Sequence, residues 1–415
     1  MSKTLIRGAK IWDATGAKAF AGDMLIDGDR IQKIAKEGSL PTDGCDLIDA
    51  KGMFLMPGMT EGHGHLSFDN VTATESLITP PPEEHTLLTA RVAKRLLDQG
   101  FTSVWGASEA KLRLGVAVRN EIDAGNLKGP RIRAGSLEIS VTGGMGDESK
   151  AHDPRPGGPS HIIDGPEEMR KAVRLACRAG CDNIKLDVSG DPFYPNTPAH
   201  STPMTYDEVK MAVDTAHAYG RKVNAHVRSI GGAQICLKAG VDVLFHCEFS
   251  DEETLDLFEE HKERVYVAPT VSLFHTLLYE AEPYMSANIA KAMGIDRLLE
   301  ASAITHNALR QRGIKHVIGG DYGFAWSPNG TNARDVGFFV QYFGYTAEEA
   351  LICATANGGA MMTMGSEEKL GLLKEGYLAD MVLVNGDPLS DPAVLVPADN
   401  LKLIIKGGAV HKNAI

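Results

Sequence analysis

TYDEVKMAVDTAHAYGRKVNAHVRSIGGAQICLKAGVDVLFH, residues 205–246, sets the fold class. Thr205 and Glu208 stand three apart at the head of a run of helical periodicity, the pattern of a capping box, and Gly220 ends that run. KVNAHV then reads as a short buried strand. A second helix, over Ala233 to Gly240, leads into the strand VDVLFH. The alternation continues on both sides. Asp164-Gly165-Pro166 opens a segment with Met169, Ala172, Val173 and Ala176 at helical spacing, stopped by Gly180 and followed by NIKLDV. A helix over Ala303 to Gly313 precedes KHVIGGD. Strands alternating with helices of this size form parallel βαβ units. Over roughly 300 residues they predict a distorted (β/α)8 TIM barrel with insertions, an α/β fold.

The two ends are patterned differently. Residues 1–56 alternate with period two (TLIRGAKIWD, DMLIDGDRIQKIA, DLIDAKGMFLMPG), and the tail does so in LADMVLVNGDPL and NLKLIIKGGAVHK. We expect 1–56 and 360–415 to pair into a small composite β-sandwich domain, with the barrel occupying 57–359. There is no internal repeat, low-complexity tract or long linker.

With 415 residues and 43% hydrophobic content the chain can bury a large core. Its net charge of −12, with no basic run, makes nucleic acid and anionic membranes poor partners. MSKTLIRGAKIWDATG lacks the continuous apolar core of a signal peptide, and no stretch is long enough to span a bilayer. Six cysteines at 45, 177, 181, 236, 247 and 353 make no paired framework, which suits a reducing cytoplasm. Cys177 and Cys181 are expected to share a helix face as filler rather than as metal ligands.

Chemistry-bearing residues fall at strand ends, where a barrel of this kind keeps its active site. His63 and His65 are two apart, so on a strand both point the same way. Lys185 in NIKLDVSG, His226, His246 and Asp321 each sit in or close a short apolar run. Singly, such a histidine is more often structural and such a lysine a surface residue. Jointly, the six can build one two-metal site. Nine further histidines (His85, His152, His161, His200, His217, His261, His275, His306 and His316) fall mostly in loops or on helices, where structural or exposed roles are expected.

On these residues, PGMTEGHGHL, NIKLDVSG, AHV, FHCEF, GGDYG and the tail LKEGYLADMVLVNGDPL, the chain resembles the amidohydrolase superfamily, in particular its imidazolonepropionase-like branch with metal-dependent prolidases and dipeptidases. The resemblance spans nearly the whole chain. It implies two divalent metal ions of the zinc type. His63, His65 and Asp321 would hold the more buried one, and His226 and His246 the outer one. Lys185, carbamylated by carbon dioxide, would bridge them. A free lysine is a cation that repels a metal, whereas a carbamate is an anion with two oxygens. Two metals lower the pKa of a shared water and polarise the scissile carbonyl. Asp321 would take the proton of the bridging hydroxide and pass it to the leaving nitrogen. The implied reaction is hydrolysis of a C–N amide bond in a dipeptide or N-acyl amino acid.

The residues expected to meet substrate follow from position. Arg228 points to the same side as His226 and either clamps a substrate carboxylate or makes a loop salt bridge. The run Thr142 to Asp147, with Met145, follows the third barrel strand and can line the pocket, as can Phe193, Tyr194 and His275. The chain departs from the branch at Glu61, usually aspartate, and at Met145 and Asn329, frequent histidine positions. A more apolar pocket would suit aryl amides, carbamates or phenylureas. The strand lysine and the Val-Arg-Ser-Ile after His226 disfavour deamination, while a lactonase, esterase or phosphotriesterase would share the same ligands. A non-catalytic scaffold disagrees with six filled positions. The expected partner is a small-molecule substrate; a homo-oligomer is left open by the sequence.

Overall fold

The computed structural model describes residues 3–153 and 157–415; Met1 and Ser2 of the N-terminal stretch lie outside them. The βα alternation is present as read. Seven parallel strands form one ladder in the order His161–Ile163, Gly135–Val141, Asn183–Asp187, Lys222–Val227, Val243–His246, Tyr266–Ala268 and Lys315–His316. Three more, Met59–Gly64, Phe101–Gly106 and Arg131–Arg133, form a second parallel ladder. Single backbone bonds tie the two ladders: Gly62 N–H donates to Ile318 O at 2.9 Å, and Glu109 N–H to Ser136 O at 2.9 Å. The first tie explains a glycine between Glu61 and His63. A Cβ at Gly62 would stand 2.6 Å from that same Ile318 oxygen.

Helices cover the long ladder, which is why its strands read as near-continuous apolar runs. Pro166–Ala179, Tyr206–Ala218, Ile230–Ala239 and Ile295–Gln311 occupy the expected places. The Thr205–Glu208 capping box is formed. Other boundaries differ for local reasons. The helix expected from Ala233 starts at Ile230 because the Ser229 hydroxyl accepts from Gly232 N–H. The helix expected from Ala303 starts eight residues earlier, at Ile295. Gly180, at φ 94°, ends its helix before Cys181, so Cys177 and Cys181 do not share a helix face, although both are buried.

Strands from both termini join one eight-stranded sheet. Met381–Val384 pairs antiparallel with Phe54–Pro57, matching Val382 to Met56 and Leu383 to Leu55. The period-two pattern sorts its side chains. Leu55, Met381, Leu383, Leu403 and Ile405 build a small core on one face, while Phe54, Met56, Val382 and Ile404 pack into the main core on the other. Among the described residues no helix is long and apolar enough to cross a membrane.

Asp242 fastens helix to ladder. Its carboxylate accepts from His217 Nε2 at 2.7 Å, Lys222 Nζ at 3.0 Å and Val223 N–H at 2.9 Å. Burial pushes its pKa up, but these donors win and hold it below 3.8. A carboxyl depressed in the folded state stabilises above its unfolded pKa, and that stabilisation fades as pH falls below it. Asp242→Asn should therefore lose about 2 kcal/mol in urea unfolding at pH 7. The gap should narrow below about pH 4. An equal gap at both pH values would refute the charge-based account.

Candidate metal centre

The ladder register brings the six candidates to one end. Asp187 stands beside His226 and Val227 beside His246 on adjacent strands. His63 lies on Met59–Gly64, His65 just past it, and Asp321 five residues beyond Lys315–His316. His63, His65, Lys185, His226, His246 and Asp321 all line one cavity of about 200 Å³. His63, His246 and Asp321 each bring a ligand atom within 4.8 Å of the others. Aiming them strains the backbone. His246, Cys247, Thr270 and Asp321 have φ of 74°, 59°, 58° and 58°, left-handed values that non-glycine residues rarely adopt.

The hydrogen bonds decide which nitrogen of each ring is free. Thr270 Oγ1 gives its proton to Pro269 O at 2.7 Å, so at 2.6 Å it accepts from His246 Nδ1–H, and Nε2 keeps the lone pair. His226 Nε2 lies 3.0 Å from Gly190 O, which can only accept; Nδ1 is therefore the free nitrogen there. His63 Nδ1 is buried with no partner. Burial first, then neighbouring charges, push His63 and His226 well below the usual imidazole pKa; in His63 the pull of Asp321 opposes this without reversing it. Burial and the Arg228 charge do the same to His246. All three are neutral. Burial raises Asp321, but His63, His65 and Lys185 outweigh it and hold the carboxyl well below its usual range.

This donor set fits divalent cations such as zinc: neutral imidazole lone pairs and an ionised carboxylate facing one small space. His65 adds to the fit. Its Nδ1 faces the Ser108 carbonyl at 3.3 Å and hydroxyl at 3.1 Å, and that hydroxyl reaches Glu138 Oε1 at 3.1 Å. His65 Nε2 lies 3.1 Å from Asp321 Oδ1. A proton there makes the hydrogen bond that lowers Asp321, and a bound cation would take that proton's place.

Lys185 is fully buried rather than on the surface. Its Nζ lies 3.7 Å from Glu138 and 3.8 Å from Asp187. Neither carboxylate was singled out from sequence, although each was marked: Glu138 is a lone charge inside the strand GSLEISV, and Asp187 falls two residues after Lys185 on the same strand face. Asp191 and Glu248 were also missed. Arg228 Nε donates to Asp191 at 2.9 Å and Nη1 to Glu248, while the guanidinium stacks over Phe274. Arg228 thus borders the cavity already engaged by two carboxylates, closer to the salt-bridge reading than to a free clamp.

Met145, Phe193 and Tyr194 line the cavity as expected. His275 and Asn329 do not. His275 bonds Tyr342 OH at 2.7 Å and Glu280 at 3.1 Å, and Asn329 Nδ2 donates to Phe68 O at 2.9 Å. The wall beyond the candidate ligands is apolar instead, with Val71, Leu77 and a train of rings from Phe68 through Phe324 to Trp326. Glu61 accepts from His63 N–H at 2.9 Å and Asn332 Nδ2 at 2.7 Å, bracing the turn into the histidine pair. Burial and nearby Asp335 push its pKa up to about 8.

The amidohydrolase family model matches residues 54–410. An ochratoxinase from Aspergillus niger is 31% identical over 377 residues, covering 86% of this chain and 75% of that protein. A crystal structure of a Xaa-Pro dipeptidase with methionine bound in its active site superposes with a TM-score of 0.88 at 27% identity, over 99% of this chain and 100% of that one. The crystal structure of A. niger ochratoxinase gives 0.86 at 25% identity, over 99% and 96%.

The Thr270 bond predicts a defect separable from folding. Thr270→Val keeps the shape but removes the acceptor that holds the proton on His246 Nδ1. Zinc affinity in a chelator competition should fall on the order of tenfold. Unchanged affinity would show that this bond does not set the tautomer.

Proposed function

The chain belongs to the amidohydrolase family, and on that footing we propose that it uses two divalent cations to hydrolyse the amide C–N bond of a dipeptide or N-acyl amino acid. The observation that carries the reading is the convergence of neutral imidazoles, Lys185 and ionised Asp321 on one cavity. His63, His65 and Asp321 would hold one cation, His226 and His246 the other, with Lys185 as a bridging carbamate. Bound there, zinc-type cations acidify a water and polarise the scissile carbonyl. Asp321 supplies the proton traffic. It accepts a proton as the water oxygen adds to the carbonyl carbon, then delivers it to the nitrogen as the C–N bond breaks, so the amine leaves neutral.

Without metal, its neighbours hold Asp321 in the accepting form at neutral pH; with Lys185 carbamylated, the bound cations would supply that positive field instead. Carbamylation of Lys185 turns a cation between Glu138 and Asp187 into an anion. Burial, together with Glu138, raises Asp187 well above the usual carboxylate range against the pull of Lys185, which favours its neutral form and eases the crowding. The dipeptidase relative supports a substrate with a free carboxylate. A second reading, a neutral aryl amide, carbamate or phenylurea, is favoured by the aromatic wall and by the engagement of Arg228 with Asp191 and Glu248. An ester or lactone would meet the same groups without needing the proton delivered to nitrogen.

The two parallel ladders, tied at Gly62 and Glu109, are read as one distorted (β/α)8 barrel over 57–359, and the terminal sheet as a composite sandwich of 1–56 and 360–415.

Two experiments test the function. Lys185→Ala should lose most activity and most bound metal, with partial rescue by short-chain carboxylic acids; full activity with full metal would end the bridging-carbamate reading. Zinc-loaded enzyme should be screened by mass spectrometry against dipeptides, N-acyl amino acids, aryl amides, carbamates and phenylureas. Cleavage confined to carboxylate-bearing compounds is expected, and turnover of neutral aryl compounds alone would replace the first substrate class with the second.

A further inference from the structure

Behind His246, away from the cavity, three buried polar side chains stand in line. His306 Nε2 lies 2.7 Å from the His246 carbonyl oxygen, His306 Nδ1 lies 3.0 Å from His316 Nε2, and His316 Nδ1 lies 2.8 Å from Tyr345 OH. Both rings are fully buried. By sequence His306 and His316 read as structural or exposed residues, and the reaction proposed above uses neither.

The direction of this line is fixed from one end. A carbonyl oxygen only accepts, so His306 Nε2 carries the proton. A neutral His306 then has a lone pair on Nδ1, which His316 fills with its Nε2–H. His316 is left with a lone pair on Nδ1, and Tyr345 donates its hydroxyl to it. With His306 neutral, the line assigns one tautomer to each ring, and Tyr345, whose hydroxyl also meets Cys353, closes its far end. The chain terminates on a strained backbone. His246 and Cys247 are consecutive residues at positive φ, a conformation that non-glycine residues rarely adopt. That pair aims the His246 ring at His63 and Asp321. The helix Ile295–Gln311 holds the same stretch a second time, through Thr305 Oγ1 donating to Glu248 O at 2.7 Å.

We infer that Tyr345, His316 and His306 form a one-way chain of hydrogen bonds that positions His246 through its backbone carbonyl, and so sets the affinity of the cation site His246 belongs to. The inference rests on the two-cation reading for its consequence, but its geometry is independent of it. All three are positioning residues. The side-chain amide of glutamine has its nitrogen and oxygen spaced like the two ring nitrogens of histidine, so His306→Gln can donate to His246 O and accept from His316 together. His306→Leu can do neither.

The test titrates metal-free enzyme with zinc against a chromophoric chelator, and with cobalt for its visible spectrum. Wild type and His306→Gln should bind two equivalents with similar affinities. His306→Leu should keep one site and lose on the order of tenfold or more at the other, with a changed cobalt spectrum. Tyr345→Phe, which removes one oxygen and should fold normally, should weaken the same site several-fold. Nitrogen-15 histidine spectra of the metal-free wild type should show His306 and His316 both as Nε2–H tautomers. Opposite tautomers overturn the inference whatever the metal data show. Wild-type affinity in folded His306→Leu or in Tyr345→Phe also overturns it, as does a loss in His306→Gln as deep as in His306→Leu. A wild type with the expected tautomers that binds no metal overturns the two-cation reading instead, and with it the link to affinity, leaving the chain only its backbone role.

Discussion

A neutral imidazole has two nitrogens and one proton, and a buried one must place that proton on something. This constraint organises the candidate centre. Thr270 Oγ1 claims the proton of His246 on one nitrogen and Gly190 O claims that of His226 on the other, so the lone pairs of both rings are left for the cavity. Every element around the centre can be read as a means of holding an oxygen at the right place. Gly190 O is carried by the loop after Asn183–Asp187, and Thr270 by the turn after Tyr266–Ala268. The parallel ladder earns its length by setting these oxygens in register with rings on the neighbouring strand.

Burial explains why the same centre tolerates so many acids. Glu138, Asp187, Asp191, Glu248 and Asp321 all lie on or beside the one cavity, yet they do not act alike. Asp321 is surrounded by positive or polarisable partners and stays ionised, while Asp187 is raised by burial and by Glu138. Glu248 is pushed up to about 7 by burial even with Arg228 beside it. Identical functional groups a few ångströms apart are thus given opposite protonation preferences by what faces them.

Much of this was legible in the sequence because local rules decided it. The capping box at Thr205, the helix stop at Gly180 and the period-two terminal strands needed only neighbours along the chain. The six candidate residues were legible because strand ends in a βα alternation have a known place in space. What could not be read depends on partners far away in sequence. Nothing local distinguishes Asn329, turned back onto Phe68, from a residue facing the cavity, or tells that His275 is held by Tyr342. Arg228 was readable as a cation near the site, but its two carboxylates come from loops 20 and 37 residues away. One helix start slipped for a smaller reason: the Ser229 cap adds a turn that apolar spacing does not announce.

The pairing of Met56 with Val382 has a consequence in time. The strand Phe54–Pro57 leads directly into the strand bearing His63, and one of its edges is covered by Met381–Val384, more than 300 residues later in the chain. At roughly 5–20 residues per second, a ribosome takes about 16 to 65 seconds to make that stretch. For that interval an apolar strand edge stands uncovered, a template for pairing with any other chain nearby. The yield of this enzyme in a cell is therefore governed by what shields that edge during synthesis as much as by the stability of the finished fold.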